Sequence, residues 1–552
     1  MRRAPRRDLM AGLTVAVVAL PLALGFGVSS GLGAAAGLAT AIVAGVLAAV
    51  FGGSNLQVSG PTGAMTVVLV PIVARYGPGG VLTVGLLAGL ILMALALGRA
   101  GRFVRYVPAP VVEGFTVGIA AVIFLQQVPA ALGVPTPHGD KVTVVAWRSV
   151  QHFAHAPHWT AFALALGVAA VMLTGARIRP GIPFSLIAVG AASMVALVWH
   201  LDVARIGALP ATLPAPSLGF LDLSAIPTLA TSALAVAALA ALESLLSATV
   251  ADGMSVGQRH DPDRELFGQG IANLVTPLFG GVPATAAIAR TAVNVRAGAS
   301  SRLASISHAA ALAIIMLAAA PLVAHIPLAA LAGVLLATAI RMVEVSSLAA
   351  LARSTRSDAT IMALTAAATL ALDLIAAVGV GLATACFLAI RKISRAATLE
   401  QVPLDTGDHH AEEAALLAEH IVAYRFDGPL FFAAAHRFLL ELSEVADVRV
   451  VILRMSRVST IDGTGALVVR DAIERLERRG ITVYLSGIPD RHTKALDALA
   501  VLDRLREQGR LFAHTGEAIT AARQLLHHTG VMVPPPRREP AADTADTTRI
   551  TR

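Results

Sequence analysis

The chain reads as a polytopic α-helical membrane protein carrying a small cytoplasmic α/β domain at its carboxyl end. Three observations lead there. Of its 552 residues, 56% are hydrophobic and 14% are charged, against roughly 45–50% and 25% in soluble domains. Between Leu9 and Ala74 there is no Asp, Glu, Lys or Arg, and a bilayer asks for about 20 apolar residues per helical crossing. Beyond about residue 400 charge becomes dense, and short runs rich in Val, Ile and Tyr alternate with amphipathic stretches. Before that point the apolar residues are mostly Ala, Leu, Val and Gly, which suits helices packed closely through small contacts.

Fourteen spans are expected, at about 10–28, 33–51, 61–75, 80–98, 111–132, 158–176, 181–200, 227–250, 265–280, 286–297, 302–323, 326–345, 357–373 and 375–392. An even count places both termini on one side. That side collects Arg2, Arg3, Arg6 and Arg7, then Arg99, Arg102 and Arg105, Arg177 and Arg179, and Arg259 and Arg264. It also collects Arg353, Arg356, Arg391, Lys392 and Arg395, while Arg75 and Arg205 fall opposite. By the positive-inside bias it is the cytoplasm, which expects a multi-pass protein of the cell (inner) membrane. The net charge of +8 is thus a topology signal, and no nucleic-acid partner is expected. Cys386 is the one cysteine and lies in an apolar run, so no intrachain disulfide is possible. There is no nucleophile–base set, metal cluster or phosphate loop, so neither an enzyme nor a cofactor is expected.

The third and tenth spans are too short to cross. Ser59-Gly60-Pro61-Thr62-Gly63 opens one and Gly280-Gly281-Val282-Pro283-Ala284-Thr285 opens the other, seven spans apart. Interrupted segments at matching places in two halves point to an inverted-repeat transporter, with its site between half-helix ends at the midplane. The third and tenth spans are therefore expected to be half-helices.

After residue 402 the period changes. His420–Phe426, Val448–Met455 and Ile481–Ser486 read as strands, and His436–Val445 and Gly465–Arg479 as amphipathic helices. The expected division is a transporter domain over 1–402, an α/β domain over 403–530 and a disordered Pro/Ala/Thr-rich tail over 531–552.

Acidic residues are scarce in the spans, and Glu243 is the deepest. A carboxylate there is a functional candidate by default, often a proton or cation site. Glu113 and Asp373 sit near span ends, where capping or snorkelling accounts for them. Arg290 lies in a run of alanines a few residues into the tenth span. If that helix begins at the midplane, its amides and dipole face the site, and a guanidinium adds bidentate recognition of an oxyanion. Thr62 and Gly63 would supply the opposing helix end.

Asp8-Leu-Met-Ala-Gly-Leu-Thr-Val-Ala-Val-Val-Ala-Leu-Pro21, Val58-Ser-Gly-Pro-Thr-Gly63 and Arg264-Glu-Leu-Phe-Gly-Gln-Gly-Ile-Ala-Asn273 together resemble the sulfate-permease (SulP) anion transporters. The carboxyl-terminal unit resembles their STAS domain. The resemblance covers nearly the whole chain. It implies a 7+7 inverted repeat with two half-helices, core and gate subdomains, elevator-type movement and a homodimer. Sodium-coupled bicarbonate members carry Asp at the position of Glu243, Thr at that of Ser247 and Thr at that of Ile288. Glu243, with Ser247 one turn on, is similar instead to the glutamate of proton-coupled members. Ala284-Thr-Ala-Ala-Ile-Ala-Arg290 with Asn294-Val-Arg-Ala-Gly298 resembles the bacterial dicarboxylate members, with Ala286 and Ala287 leaving room for a four-carbon diacid. Ser459-Thr-Ile-Asp462-Gly-Thr464 is similar to the phosphoacceptor loop of anti-sigma-factor antagonists, with Thr464 at the modified position.

The expected function is proton-coupled uptake of a small anion, a C4-dicarboxylate such as fumarate or succinate. Sulfate or bicarbonate transport, with protons or sodium, and anion exchange stand as alternatives. The expected partners are the anion, protons, the lipid bilayer, a second copy of the chain and a cytoplasmic protein at the STAS domain. A signalling protein merely anchored by its spans is the competing class, and fourteen spans are more than an anchor needs.

Overall fold

The computed structural model describes residues 5–137, 141–179, 182–210, 212–255, 258–372, 374–402, 419–431 and 448–531. The chain divides into two compact units, Met1–Ala385 and Cys386–Arg552.

The first unit is helical. It opens with α1 (Pro5–Ser29) and α2 (Ala34–Phe51), then a two-residue strand β1 (Ser59–Gly60) leads into α3 (Gly63–Leu97). There follow α4 (Ala109–Leu132), α5 (Val142–His155), α6 (Trp159–Ile178), α7 (Phe184–Val198), α8 (Ile226–Met254) and α9 (Pro262–Val275). A second short strand, β2 (Thr285–Ala286), leads into α10 (Ile288–Arg296). The series ends with α11 (Leu303–Val323), α12 (Leu328–Met342), α13 (Val345–Ser354), α14 (Arg356–Ala371) and α15 (Leu374–Ala396), the last straddling the division between the units.

A helix falls on every expected span. Among the described residues, eight helices are long and apolar enough to cross a membrane by themselves. Small residues let their backbones touch. An added Cβ at Gly37 would lie 2.0 Å from the Ala23 carbonyl oxygen, and one at Gly89 only 2.7 Å from that of Gly270. No side chain fits at either contact, between α1 and α2 or between α3 and α9.

The two Gly/Pro-punctuated segments are short helices. Helix α3 is broken at Gly77 (φ 67°, ψ −176°), ahead of Pro78. Its first arm, residues 63–76, is therefore about 21 Å long at 1.5 Å per residue. Helix α10 has nine residues, about 14 Å. Neither approaches the roughly 30 Å of a bilayer core.

Two helices were not expected. Helices α5 and α13 lack a long apolar run, because Arg148, Gln151 and His152, or Ser346, Ser347 and Arg353, interrupt one. Each is amphipathic, α5 packing against α4 and α13 against α14.

In the second unit five strands form one sheet in the order β3 (Thr398–Val402), β4 (Ile421–Leu430), β5 (Val450–Ile461), β6 (Thr482–Ser486) and β7 (Leu511–Phe512). The β3–β4 pair is antiparallel and the others are parallel. Strand β3 was not anticipated; it lies ahead of residue 403, where the α/β domain was expected to begin, and only Ala397 separates it from α15. Strand β5 runs six residues past its expected end at Met455, held by β4 through two register shifts. Helices α16 (Gly463–Arg478), α17 (Asp490–Asp497), α18 (Val501–Glu507) and α19 (Thr515–His528) cover the sheet. Val451, Leu453, Val483 and Leu485 bury under α16 residues Ala466, Val469 and Ile473. The expected helix His436–Val445 and the tail lie outside the described residues.

Candidate functional site

The strands β1 and β2 pair antiparallel, Ser59 opposite Ala286 and Gly60 opposite Thr285. Each is followed within three residues by a helix start. The pairing therefore sets the amino-terminal ends of α3 and α10 head to head in the middle of the first unit. Helix amino termini carry unpaired N–H groups and about half a positive charge each, so the crossing is an electropositive, donor-rich spot.

One face of α9 builds this crossing. Glu265, Gln269 and Asn273 recur every four residues, so they line one side of the helix. Glu265 accepts from the amides of Gly53 (2.9 Å) and Ser54 (3.1 Å). Gln269 donates to the Ser59 hydroxyl at 2.7 Å. Asn273 exchanges two 2.8 Å hydrogen bonds with the Ala284 backbone. Together they pin the segments leading into both half-helices.

Helix α8 supplies the other wall. The Ser244 hydroxyl accepts from the Ala286 amide at 3.2 Å and lies 3.0 Å from the Thr285 hydroxyl. One residue earlier, Glu243 is half-buried and accepts a 2.9 Å hydrogen bond from Thr62 Oγ1. Thr62 is the N-cap of α3 and also accepts from the Met65 amide. The carboxylate is thereby tied to the first turn of one half-helix.

Arg290 comes from the other half-helix. Its side chain is 2% exposed, and Nη2 donates to the Pro61 carbonyl at 3.0 Å. The guanidinium lies against Gly60, whose added Cβ would be 2.8 Å from Nη1. Among the described residues no ion pair within 4.0 Å joins Arg290 to Glu243, although the two charges interact across the site. Buried behind the wall, Arg290 offers a positive field and not the exposed two-pronged fork expected of it.

The remaining candidates separate. Gly63 starts α3 under Phe26 and Ile123, which an added Cβ would strike at 3.1 and 2.2 Å. Its contribution is a backbone amide. Ala286 is 1% exposed, occupied by strand pairing; Ala287 is half-buried, and Ile288 and Ala289 are exposed. Ser247 is fully buried and donates to Thr291 Oγ1 at 3.0 Å, which in turn accepts from the Val58 amide. That arrangement braces α8 against α10. Glu113 accepts from Ser347 of α13 at 3.1 Å, away from the crossing, and Asp373 lies outside the described residues. Thr464 is exposed on the first turn of α16, behind the N-cap Asp462. Among the described residues no group of three His, Cys, Asp or Glu side chains gathers in metal-binding geometry.

Gly60 has φ 154° and no room for a side chain. Gly60→Ala is expected to displace the guanidinium and cost about 1–3 kcal/mol. A lowered Tm together with weakened anion uptake would confirm it; unchanged uptake at full stability would not fit.

Residues 6–365 match the model of the sulfate permease family, and residues 415–518 match that of the STAS domain. The chain belongs to the sulfate permease family. Sequence relatives within and around this family span almost the full chain. YvdB of Bacillus subtilis (strain 168), which bears a sulfate-transporter name, is 34% identical over 93% of this chain and 97% of its own. The bicarbonate transporter BicA of Synechocystis sp. (strain ATCC 27184) is 31% identical over 90% of each. The solved transmembrane domain of a cyanobacterial BicA covers 68% of this chain and 97% of its own, with 32% identity and a TM-score of 0.63. Murine Solute Carrier 26 member A9 superposes with a TM-score of 0.81 over 95% of this chain at 17% identity, a likeness of fold alone. This sulfate permease family member is thus an anion transporter of the multi-pass membrane type, with a STAS domain after its helices.

Proposed function

We propose that the protein is a secondary active transporter that carries a small inorganic oxyanion, sulfate foremost, into the cell together with protons bound at Glu243. The observation carrying this reading is the link from Glu243 to the N-cap Thr62 of one half-helix, with Arg290 of the other half-helix in the same crossing. An ionised Glu243 neutralises the field of Arg290 and repels an anion; a protonated one does neither. For a unit charge and a dianion about 8 Å apart at an effective dielectric near 20, the difference is about 4 kcal/mol. That is roughly a thousandfold preference for binding the anion with the proton. A divalent anion that enters with protons also works less against an inside-negative potential.

Sulfate and bicarbonate are the anions named among the relatives, and both are small enough for donors on two helix ends. The C4-dicarboxylate reading takes the small side chains of the stretch Ala284–Arg290, Ala286 and Ala287 among them, as room for a longer substrate. With Ala286 buried in the strand pair, part of that room is gone. Sodium coupling is disfavoured by Ile288, which puts a hydrocarbon where an oxygen ligand would be needed.

The reading extends to a 7+7 repeat in the membrane, cytoplasmic termini supported by the arginine distribution, and a homodimer. It also extends to the STAS unit as a docking domain. A phosphate on Thr464 would sit at the amino end of α16, where the helix dipole favours it.

The test is uptake of labelled sulfate, bicarbonate and fumarate into proteoliposomes, under a proton gradient and then a sodium gradient. Proton-driven sulfate accumulation is expected. Sodium-driven bicarbonate uptake, or fumarate in preference to sulfate, would replace the reading.

A further inference from the structure

His308 lies in the second turn of α11 and is fully buried. Neither of its ring nitrogens has a hydrogen-bond partner in the protein. Three neighbouring groups share that condition: Arg290 Nη1, Asn294 Oδ1 and Gln57 Oε1. Gln57 belongs to the stretch 56–60, and the helices that carry the other three contact that stretch. Asn294 donates to the Leu56 carbonyl at 2.8 Å, and Ser305, one turn before His308, donates to that of Gln57 at 2.6 Å. Arg290 rests on Gly60. An added Cβ at Gly45 would lie 3.3 Å from Ala309, the residue after His308, and 3.7 Å from the Ser59 oxygen. Helix α11 therefore backs onto the same strand that carries the anion crossing, and His308 is within electrostatic range of Arg290.

Each buried polar atom left unsatisfied costs about 1–3 kcal/mol, and native interiors keep few of them. Here they are complementary. A guanidinium edge offers only donors, amide oxygens only acceptors, and an uncharged imidazole one of each. Arg290 Nη1 can donate into a buried water, that water into one imidazole nitrogen, and the other imidazole N–H toward Asn294 or Gln57. Buried waters make about three such bonds each.

We infer that His308 is a positioning residue for Arg290, holding its guanidinium through a buried water so that its charge stays at the anion crossing. The second guanidinium nitrogen is already fixed on Pro61, and the imidazole link completes the clamp by holding the first. The inference rests on the assignment of Arg290 to the anion site.

Sulfate KM and turnover in proteoliposomes test it, measured for His308→Leu, His308→Met, His308→Gln and Arg290→Ala. The apolar variants are expected to raise KM about tenfold and leave turnover at saturation within twofold. His308→Gln, which keeps a donor and an acceptor, is expected to stay within twofold of the parent in both. Two apolar variants guard against one failing to fold. An unmoved KM in both, beside a raised KM in Arg290→Ala, would overturn the inference alone. A Gln variant as impaired as Leu would overturn it by showing that shape, not hydrogen bonding, matters. An unmoved KM in Arg290→Ala would remove the anion-site assignment and this inference together.

Discussion

Glu243→Gln is expected to abolish sulfate accumulation driven by a proton gradient while leaving sulfate-for-sulfate exchange in place. Glutamine keeps the hydrogen bond from Thr62 Oγ1, now 2.9 Å long, and matches the shape of the protonated acid. The site is then fixed in its anion-accepting charge state. Anion can bind and cross with its carrier, but no proton need accompany it, so the gradient no longer does work on it. The check is a pair of assays on one preparation, uptake against a gradient and counterflow at equal concentrations. Undiminished accumulation would remove Glu243 from the coupling. Loss of exchange as well would mean that the carboxylate is needed for movement and not only for coupling.

Arg290→Ala is expected to raise sulfate KM by about a thousandfold. Removal of one buried charge about 8 Å from a dianion in a dielectric near 20 takes away about 4 kcal/mol, and the vacated volume admits water that screens the helix ends further. Arg290→Lys is expected to recover only part of the loss. Its ammonium cannot both donate to the Pro61 carbonyl and present a second nitrogen toward Gly60, as the planar guanidinium does. The measurement is KM across a series of salt concentrations. A KM that stays at the parent value in Arg290→Ala would leave the helix ends as the whole anion site.

Much of the helical framework could be read in advance because the bilayer imposes a length on it. The broken pair was readable because Gly60 and Pro61, then Gly280, Gly281 and Pro283, stand at matching interruptions, and clustered Gly and Pro mark turns and breaks. Helix α5 escaped because its Val144, Trp147 and Val150 are interleaved with polar residues, a stripe that hydropathy averages away. Strand β3 escaped because nothing but Ala397 marks the end of α15 before it.

Within the candidate site, rarity was the signal. Glu243 and Arg290 stood out because ionisable groups inside spans are costly, and Thr62 because it precedes a helix start. What rarity cannot convey is direction. The family resemblance brings Ser247 into the coupling site and Ala286 into the substrate site, yet tertiary contacts turn one toward Thr291 and lock the other into a strand. Glu265, Gln269 and Asn273 recur at intervals of four, a helical face visible in the sequence, but their partners lie in segments up to 212 residues away. His308 gave no warning, being one histidine among sixteen. Its environment is made by α1 and α2 packing against α11.

The central claim is that anion and proton enter together through Glu243, and the most direct measurement is the proton movement itself. Proteoliposomes would carry a pH-sensitive dye inside, with sulfate added outside at equal starting pH. The lumen is expected to acidify on sulfate addition with the parent protein, and to keep its pH with Glu243→Gln although labelled sulfate still exchanges. Sulfate uptake by the parent with no change in lumenal pH would contradict the account.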